Sequence, residues 1–245
     1  MSKLLSLIVV YFLHQHLKNY TFFQKVQQNC TAHWLDDLLF KAQMLANNAN
    51  KIPIIAFSLL LIIAMSLIVF LLQMIFYHAG GHLGAILFNV TLLSYCLYSG
   101  AKKNYSSVFV SSFEHYFSLL FWFVVVGPIG VVLYWLCMLG GIKAEQASEL
   151  YYAKNISNCL FNLHTIVAWL PARITGLIFS LVGDFEQGFS RWRAVIRVLN
   201  MPHPELLDAC GDASLGNLTI EQSQLLVERA FIAWVIFCIL IALIF

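Results

Sequence analysis

Charged residues are scarce in this chain of 245 residues. Only 11% of its positions are Asp, Glu, Lys or Arg, whereas 60% are hydrophobic. Soluble domains are about 25% charged and about 45–50% apolar, so 14 basic and 12 acidic side chains are too few to cover a water-facing surface. The composition excludes a soluble enzyme, a disordered chain and a coiled coil, and it predicts an integral membrane protein.

Sequence motifs for metal, redox and phosphate chemistry are also missing. The six cysteines lie far apart without a C-x-x-C spacing, so neither a disulfide framework nor a zinc site is expected. The sequence contains no P-loop, dinucleotide fingerprint, nucleophile elbow or H-E-x-x-H motif. The net charge of +2 forms no basic stripe for nucleic acid. We therefore expect no metal site and no nucleic-acid partner; the sequence designates no catalytic residue and leaves the cofactor unknown.

Long apolar runs define the predicted membrane segments. The first is a short span or a re-entrant helix, because about 10 to 14 helical residues cover only about 15–21 Å of a roughly 30 Å hydrocarbon core. The second and third flank a polar turn at residues 77–82, which predicts a helical hairpin. The predicted fold class is all-α, a polytopic bundle of about five to six membrane segments: residues 4–17, 52–76, 83–99, 117–139, 163–182 and 230–245.

Polar connectors join these segments within a single predicted membrane domain, residues 1–245. The first connector is expected to hold an amphipathic helix over residues 31–45. The last is expected to hold an amphipathic segment over residues 184–199, followed by a loop rich in Gly, Asp and Asn up to residue 217. Thr219 and Gln222 form a capping box that opens the final helix. The connectors are residues 18–51, 100–116, 140–162 and 183–229.

Two predicted segments depart from a plain apolar helix. Gly127 and Pro128 interrupt residues 117–139, and proline predicts a kink or break because it lacks an N–H donor and clashes with the preceding turn. Residues 163–182 carry apolar side chains at i, i+3, i+4 and i+7, opposite a small or polar face. That pattern fits either a bundle helix facing a polar interior or a helix lying in the membrane interface.

The distribution of basic residues indicates the orientation in the membrane. If residues 163–182 cross the bilayer, ten basic residues lie on one side and two or three on the other. Because Lys and Arg accumulate in cytoplasmic connectors, the polar connectors are predicted inside and the C-terminus outside.

Arg173 is the most informative charged residue, because it lies inside an apolar segment. An arginine at a membrane helix centre costs about 2.5–3.5 kcal/mol on insertion scales, so it needs a partner or a polar cavity. Its guanidinium suits a phosphate, a carboxylate or a cluster of carbonyls. We expect a pocket for an anionic ligand, built by Arg173 with Glu114 or Glu186, and with Asp184 nearby. The alternatives are snorkelling to a headgroup, or a structural ion pair with one of these acids.

Two motifs resemble the AmpE family of bacterial inner-membrane proteins. Residues 121–130 (FWFVVVGPIG) resemble its Phe-Trp, Gly-x-x-Gly helix, and residues 169–176 (WLPARITG) resemble its W-x-P-x-R-x-x-G segment. The resemblance covers residues 113–200 and 219–245 best. Further matching positions, including those of the family's C-terminal anchor, are Gly183, Glu186, Trp192, Thr219, Glu228 and Arg229.

The resemblance implies a multi-pass inner-membrane protein that regulates β-lactamase induction and peptidoglycan-recycling signalling, with a cytoplasmic anhydro-muropeptide amidase as partner. The larger group includes the cobalamin enzyme CobD/CbiB, so a membrane-bound amide-forming synthase is the alternative. That enzyme has an Asp-Asp pair about a turn before its P-A-R-L motif, where this chain has residues 158–162 (NCLFN). Because acyl activation and Mg²⁺ binding use carboxylates, the sequence favours a non-enzymatic role and leaves the enzyme alternative open.

Overall fold

The computed structural model of the protein describes residues 5–6, 54–98, 107–146, 151–198, 201–215 and 220–244. Nearly all of these residues are helical, and none of them lies in a strand. The all-α prediction is confirmed. The predicted amphipathic helix over residues 31–45 and nearly all of the segment at residues 4–17 lie outside the described residues.

Eight α-helices and one π-helix follow one another in this described part of the chain. They are α1 (Ile54–Tyr98), α2 (Val108–Ser112), the π-helix (Phe113–Phe117), α3 (Ser118–Val125), α4 (Pro128–Gln146), α5 (Tyr151–Val182), α6 (Phe185–Ile196), α7 (His203–Leu215) and α8 (Ile220–Ile244).

Large apolar side chains on the outside of the helices identify a membrane protein. Leu83 and Ile63 of α1, for example, are 73% and 66% exposed, and lipid rather than water solvates such surfaces. The count of five to six segments stays a prediction. Four described stretches are long and apolar enough to cross a bilayer: Ile62–Leu97, Val108–Val125, Cys159–Val182 and Gln222–Leu240.

The chain divides into two compact units that alternate along the sequence. The first unit comprises Met1–Lys102 and Val125–His164, and the second comprises Lys103–Val124 and Thr165–Phe245. All four residues proposed above for a ligand pocket belong to the second unit.

Helix α1, in the first unit, changes direction sharply at Gly81. This residue has φ 58° and ψ −140° within the helical run, a positive φ that glycine adopts readily. In a straight helix Phe76 and Phe88 would lie about 18 Å apart, yet their ring centroids are 5.4 Å apart. A β-carbon on Gly84 would collide with the carbonyl oxygen of Phe76. The predicted turn between residues 52–76 and 83–99 is therefore present.

The predicted break at Gly127 and Pro128 is also present. Helix α3 ends at Val125, Gly127 has φ 94°, and α4 begins at Pro128. Proline is well tolerated at the first helical position, where its missing N–H would have had no intrahelical partner.

The helical run before this break begins at Val108, nine residues earlier than the predicted start of the segment at residue 117. The Ser107 hydroxyl caps it by accepting a hydrogen bond from the Val110 N–H at 3.2 Å. The Ser112 hydroxyl donates to the Val108 carbonyl at 2.7 Å, so this polar side chain is satisfied within the helix. Part of the predicted connector 100–116 is therefore the start of a candidate membrane helix.

The loop predicted before residue 217 is wrong over most of its length, because helix α7 occupies His203–Leu215. Its Gly and Asp content suggested a loop, but its burial pattern has helical spacing. Packing along such a face outweighs the low helix propensity of individual residues. The buried positions are His203, Leu206, Leu207, Cys210, Gly211 and Ser214.

Candidate functional site

Glu114 and His203 form a buried acid–base pair in the second unit. The Glu114 Oε1 atom lies 2.8 Å from the His203 Nε2 atom, and the two side chains are 4% and 6% exposed. A buried carboxyl group requires a hydrogen-bond partner, and the imidazole supplies one. Residue 114 was predicted to precede a membrane segment, whereas it lies within the candidate span Val108–Val125.

The π-helix Phe113–Phe117 carries Glu114. The Phe113 carbonyl accepts two hydrogen bonds from Ser118, one from its backbone N–H and one from its hydroxyl at 2.8 Å, which close this widened turn. The Phe113 ring packs against the His203 imidazole with a centroid distance of 5.8 Å. Single π turns are rare and occur frequently at functional sites, so the backbone itself distinguishes this position.

Arg173 is 4% exposed and binds backbone carbonyls. Its Nη1 atom donates to the Trp169 carbonyl at 3.2 Å, and its Nη2 atom donates to the Val198 carbonyl at 3.3 Å. The guanidinium carbon lies 3.9 Å from the centroid of the Trp169 ring, a cation–π contact. Because Val198 follows the C-terminal end of α6, the cation also complements the negative end of that helix dipole.

The backbone of Arg173 makes a second connection to α6. The indole N–H of Trp192 donates to the Arg173 carbonyl at 2.9 Å. Arg173 therefore makes two hydrogen bonds to the segment from Trp192 to Val198. Its carbonyl accepts one from Trp192, and its guanidinium donates one to Val198. This environment is a cluster of carbonyls, one of the three kinds of partner predicted for the guanidinium.

Asp184 is the N-cap of α6. Its Oδ1 atom accepts hydrogen bonds from the N–H groups of Glu186 and Gln187 at 3.1 and 3.2 Å. Its own N–H donates to the Ser214 carbonyl at 2.8 Å, so the cap also joins α7. Glu186 is exposed in the first turn of α6. That the four predicted residues share a ligand pocket stays a prediction; the contacts above pair Glu114 with His203 and Arg173 with α6.

Glycines allow α5, α6 and α7 to approach one another closely. A β-carbon on Gly188 would lie 2.6 Å from the Ser214 Oγ atom and 3.0 Å from the Ser180 Cα atom. A β-carbon on Gly176 would lie 3.2 Å from the Cys210 Sγ atom. The glycine that ends the W-x-P-x-R-x-x-G motif is therefore a packing residue.

The polar face of α7 carries three carboxyl groups, those of Glu205, Asp208 and Asp212. The Ser107 hydroxyl donates to Asp208 Oδ1, which joins α7 to the N-cap of α2. Partial desolvation raises the pKa of Asp212, an exposed residue, and the nearby negative charge of Asp208 raises it further. Two like charges in one small region favour protonation of one of them.

His203 and Val198 are the site residues that sequence reasoning missed. His203 lies between two prolines, a pattern that indicates a chain break rather than a partner for a carboxyl group. Glu114 and His203 are 89 residues apart in the sequence, and no spacing rule connects them. A backbone carbonyl such as that of Val198 carries no sequence signal at all.

These features define the class of protein: a membrane protein, helical over the part of the chain that the structure describes, whose second unit holds a buried acid–base pair and an arginine bound to helix carbonyls. Residues 102–217 match the family model of the regulatory signalling modulator protein AmpE. The matched segment contains α2 to α7 and both motifs that carried the resemblance. The resemblance to the AmpE family is confirmed across this segment.

Two curated relatives share a segment of similar length. The cobalamin biosynthesis protein CobD of Chromobacterium violaceum is 30% identical over 120 residues, which are 47% of this chain and 36% of the relative. The CobD protein of Stutzerimonas stutzeri is 27% identical over 120 residues, 47% of this chain and 38% of the relative. The chain thus spans little more than a third of the length of these relatives. No solved structure matches the chain significantly.

Proposed function

We propose that this chain is an AmpE-like regulatory protein of the bacterial inner membrane. In this proposal it crosses the membrane several times and acts in β-lactamase induction and peptidoglycan-recycling signalling. The observation that carries the proposal is the family match over residues 102–217, because that segment contains Glu114, Arg173, Asp184 and Glu186.

The proposed site senses an anionic cell-wall or nucleotide ligand through Arg173. The guanidinium uses one donor on the Val198 carbonyl. A phosphate or carboxylate is a stronger acceptor than a carbonyl, so an anion that reaches Arg173 would replace Val198 as the acceptor. That exchange would release the C-terminal end of α6 and present it to a cytoplasmic anhydro-muropeptide amidase. Glu114, Asp184 and Glu186 complete the proposed site.

Induction of β-lactamase tests the regulatory role. A strain that lacks the gene is complemented with the wild-type chain, with Arg173→Ala or with Arg173→Lys, and membrane levels are compared by immunoblot. We expect Arg173→Ala to reach the membrane and to lose induction, because it loses both the charge and the two carbonyl contacts. Arg173→Lys should recover only part of the response, because lysine lacks the planar fork. Normal induction by Arg173→Ala would exclude a function for this site.

The second candidate function is a membrane-bound amide-forming synthase of cobalamin biosynthesis. The two CobD relatives favour it, since each is 27–30% identical over 120 residues. Against it, residues 158–162 contain Asn158 and Asn162 and no acidic residue, although carboxylates hold Mg²⁺.

Complementation of a cobinamide-synthase-deficient strain distinguishes the two candidates. If the expressed chain restores growth without added cobalamin, the regulatory proposal is overturned. No growth, with the protein present in the membrane fraction, supports the regulatory role.

A further inference from the structure

Helix α6 folds back along the C-terminal part of α5. Gly188 lies against Ser180, where a β-carbon would come within 3.0 Å of the Ser180 Cα atom. Farther along, Trp192 donates to the Arg173 carbonyl, and Arg173 donates to the Val198 carbonyl. As residue numbers rise along α6, they fall along the neighbouring part of α5. The two helices are therefore antiparallel neighbours.

One face of α6 is aromatic. The rings of Phe185 and Phe189 stack at 5.2 Å, and those of Phe189 and Trp192 stack at 5.6 Å. With Ile196, these residues follow the i, i+4, i+7 spacing of one helix face, and Phe185 is exposed. Trp, Phe and Leu form the apolar faces of helices that lie in the membrane interface.

The same helix exposes three arginines, Arg191, Arg193 and Arg197. Exposed arginines are costly in hydrocarbon, but they are favourable beside headgroup phosphates, which the guanidinium binds with two parallel hydrogen bonds. A helix with an apolar face and a basic polar face is typical of the membrane interface.

The neighbouring surface of α5 places α6 at the membrane. Trp169, Leu170 and Leu181 are exposed on α5, within the candidate span Cys159–Val182. Because α6 begins at Phe185, three residues after that span ends, the chain has too little length to leave the interface first. The positive-inside pattern assigns the three arginines to the cytoplasmic side, where anionic lipids attract basic side chains.

We propose that α6 is an interfacial helix whose Arg191, Arg193 and Arg197 bind the phosphate groups of anionic phospholipids, with Phe185, Phe189 and Ile196 at the acyl-chain boundary and Trp192 bonded to α5. Two observations identify bilayer lipid as the ligand of this surface. The exposed arginines complement anionic headgroups in charge, and α6 begins only three residues after the candidate span in α5 ends. This surface is separate from the Arg173 guanidinium, which is buried and bound to carbonyls.

Lipid retention by the purified full-length protein tests the proposal. The protein in nonionic detergent is titrated with dioleoylphosphatidylglycerol or dioleoylphosphatidylcholine, and bound lipid is counted by native mass spectrometry. We expect the wild type to retain the anionic lipid preferentially. Since each basic residue near an anionic surface contributes about a fivefold factor in affinity, the variant Arg191→Gln/Arg193→Gln/Arg197→Gln should lose most of this preference.

Two matched controls keep the experiment decisive. The corresponding triple lysine variant retains the charges and should keep most of the preference. Ser190→Ala changes an exposed neutral residue of the same helix and should bind like the wild type. If the triple glutamine variant fails to fold, Arg193→Gln and a salt titration of the wild type replace it. Equal retention of both lipids by the wild type, or an unchanged preference after removal of the arginines, would overturn the proposal.

Discussion

The indole nitrogen of Trp192 donates a hydrogen bond to the main-chain carbonyl of Arg173, at 2.9 Å and across a separation of 19 residues. Both residues occur among the positions that resemble the AmpE family. Their contact gives the spacing between them a physical reason, because the bond joins the antiparallel helices α5 and α6 at this position. The bond also places the C-terminal end of α6 beside the Arg173 guanidinium.

Trp192→Phe should lower the stability of the second unit. The substitution removes the N–H donor and keeps most of the aromatic packing, so the expected loss is about 0.5–1.5 kcal/mol. Thermal unfolding in detergent, followed by circular dichroism, measures the change. Trp122→Phe is the matched control, because the Trp122 indole N–H has no hydrogen-bond acceptor among the described residues. A greater loss from Trp122→Phe than from Trp192→Phe would contradict the prediction.

Asp184→Ala should also destabilise the protein. It removes the acceptor for two N–H groups at the start of α6, and loss of an N-cap costs about 0.5–2 kcal/mol. Asp184→Asn keeps a side-chain oxygen and should retain most of the stability. Hydrogen–deuterium exchange of residues 185–188 reports the cap directly; equal protection in Asp184→Ala and the wild type would count against a capping role.

Gly188→Ala should separate α6 from α5 and α7. The added methyl group would lie 2.6 Å from the Ser214 Oγ atom and 3.0 Å from the Ser180 Cα atom, and overpacking of this kind costs about 1–3 kcal/mol. We expect a lower unfolding temperature and faster exchange in α6. Gly80→Ala is the control, because nothing lies within 4 Å of a β-carbon there. Equal unfolding temperatures for the two alanine variants would contradict tight packing around Gly188.

Asp212 should make stability decline as pH rises. Partial desolvation and the charge of Asp208 raise the pKa of Asp212 in the folded protein, so the folded state binds its proton more tightly than the unfolded state does. Its contribution to stability is therefore complete below the unfolded pKa and is lost as pH rises through the folded pKa. Asp212→Asn should remove this dependence and raise the unfolding temperature at pH 7 more than at pH 3.5. An identical pH profile for the variant and the wild type would refute the shift.

Local patterns predicted the helices well where apolar runs and proline dominate. The helix break at Gly127 and Pro128, the amphipathic α6 and the final apolar helix all depend on residues close in sequence, and all three are present. Helix α7 was missed because its glycine and aspartate residues have low intrinsic helix propensity. Its stability comes from tertiary contacts, such as Gly211 against the Phe109 ring, which no local pattern contains.

The candidate site was less predictable than the fold. An intramembrane arginine signals that a partner exists, but not that the acceptors are main-chain carbonyls of Trp169 and Val198. Likewise, the sequence predicts a site role for Glu114, whereas its contact with His203 depends on how α7 packs. The positions of Arg173 and Glu114 relative to the apolar segments could be read from the sequence. The identity of the group that each side chain contacts required the three-dimensional structure.

The widened turn between Phe113 and Phe117 has a consequence for how this helix tolerates changes in length. A π turn is equivalent to one additional residue in an α-helix, so it rotates everything that follows by about 100° relative to a regular helix. Phe109 can thus meet Phe179 while Phe117 meets both Phe179 and Trp234. Deleting one residue within this turn would convert it to a regular α-helical turn and keep the neighbours of the side chains on either side of it. A one-residue deletion in the regular part of the helix would instead rotate every side chain beyond it by about 100° and change its neighbours.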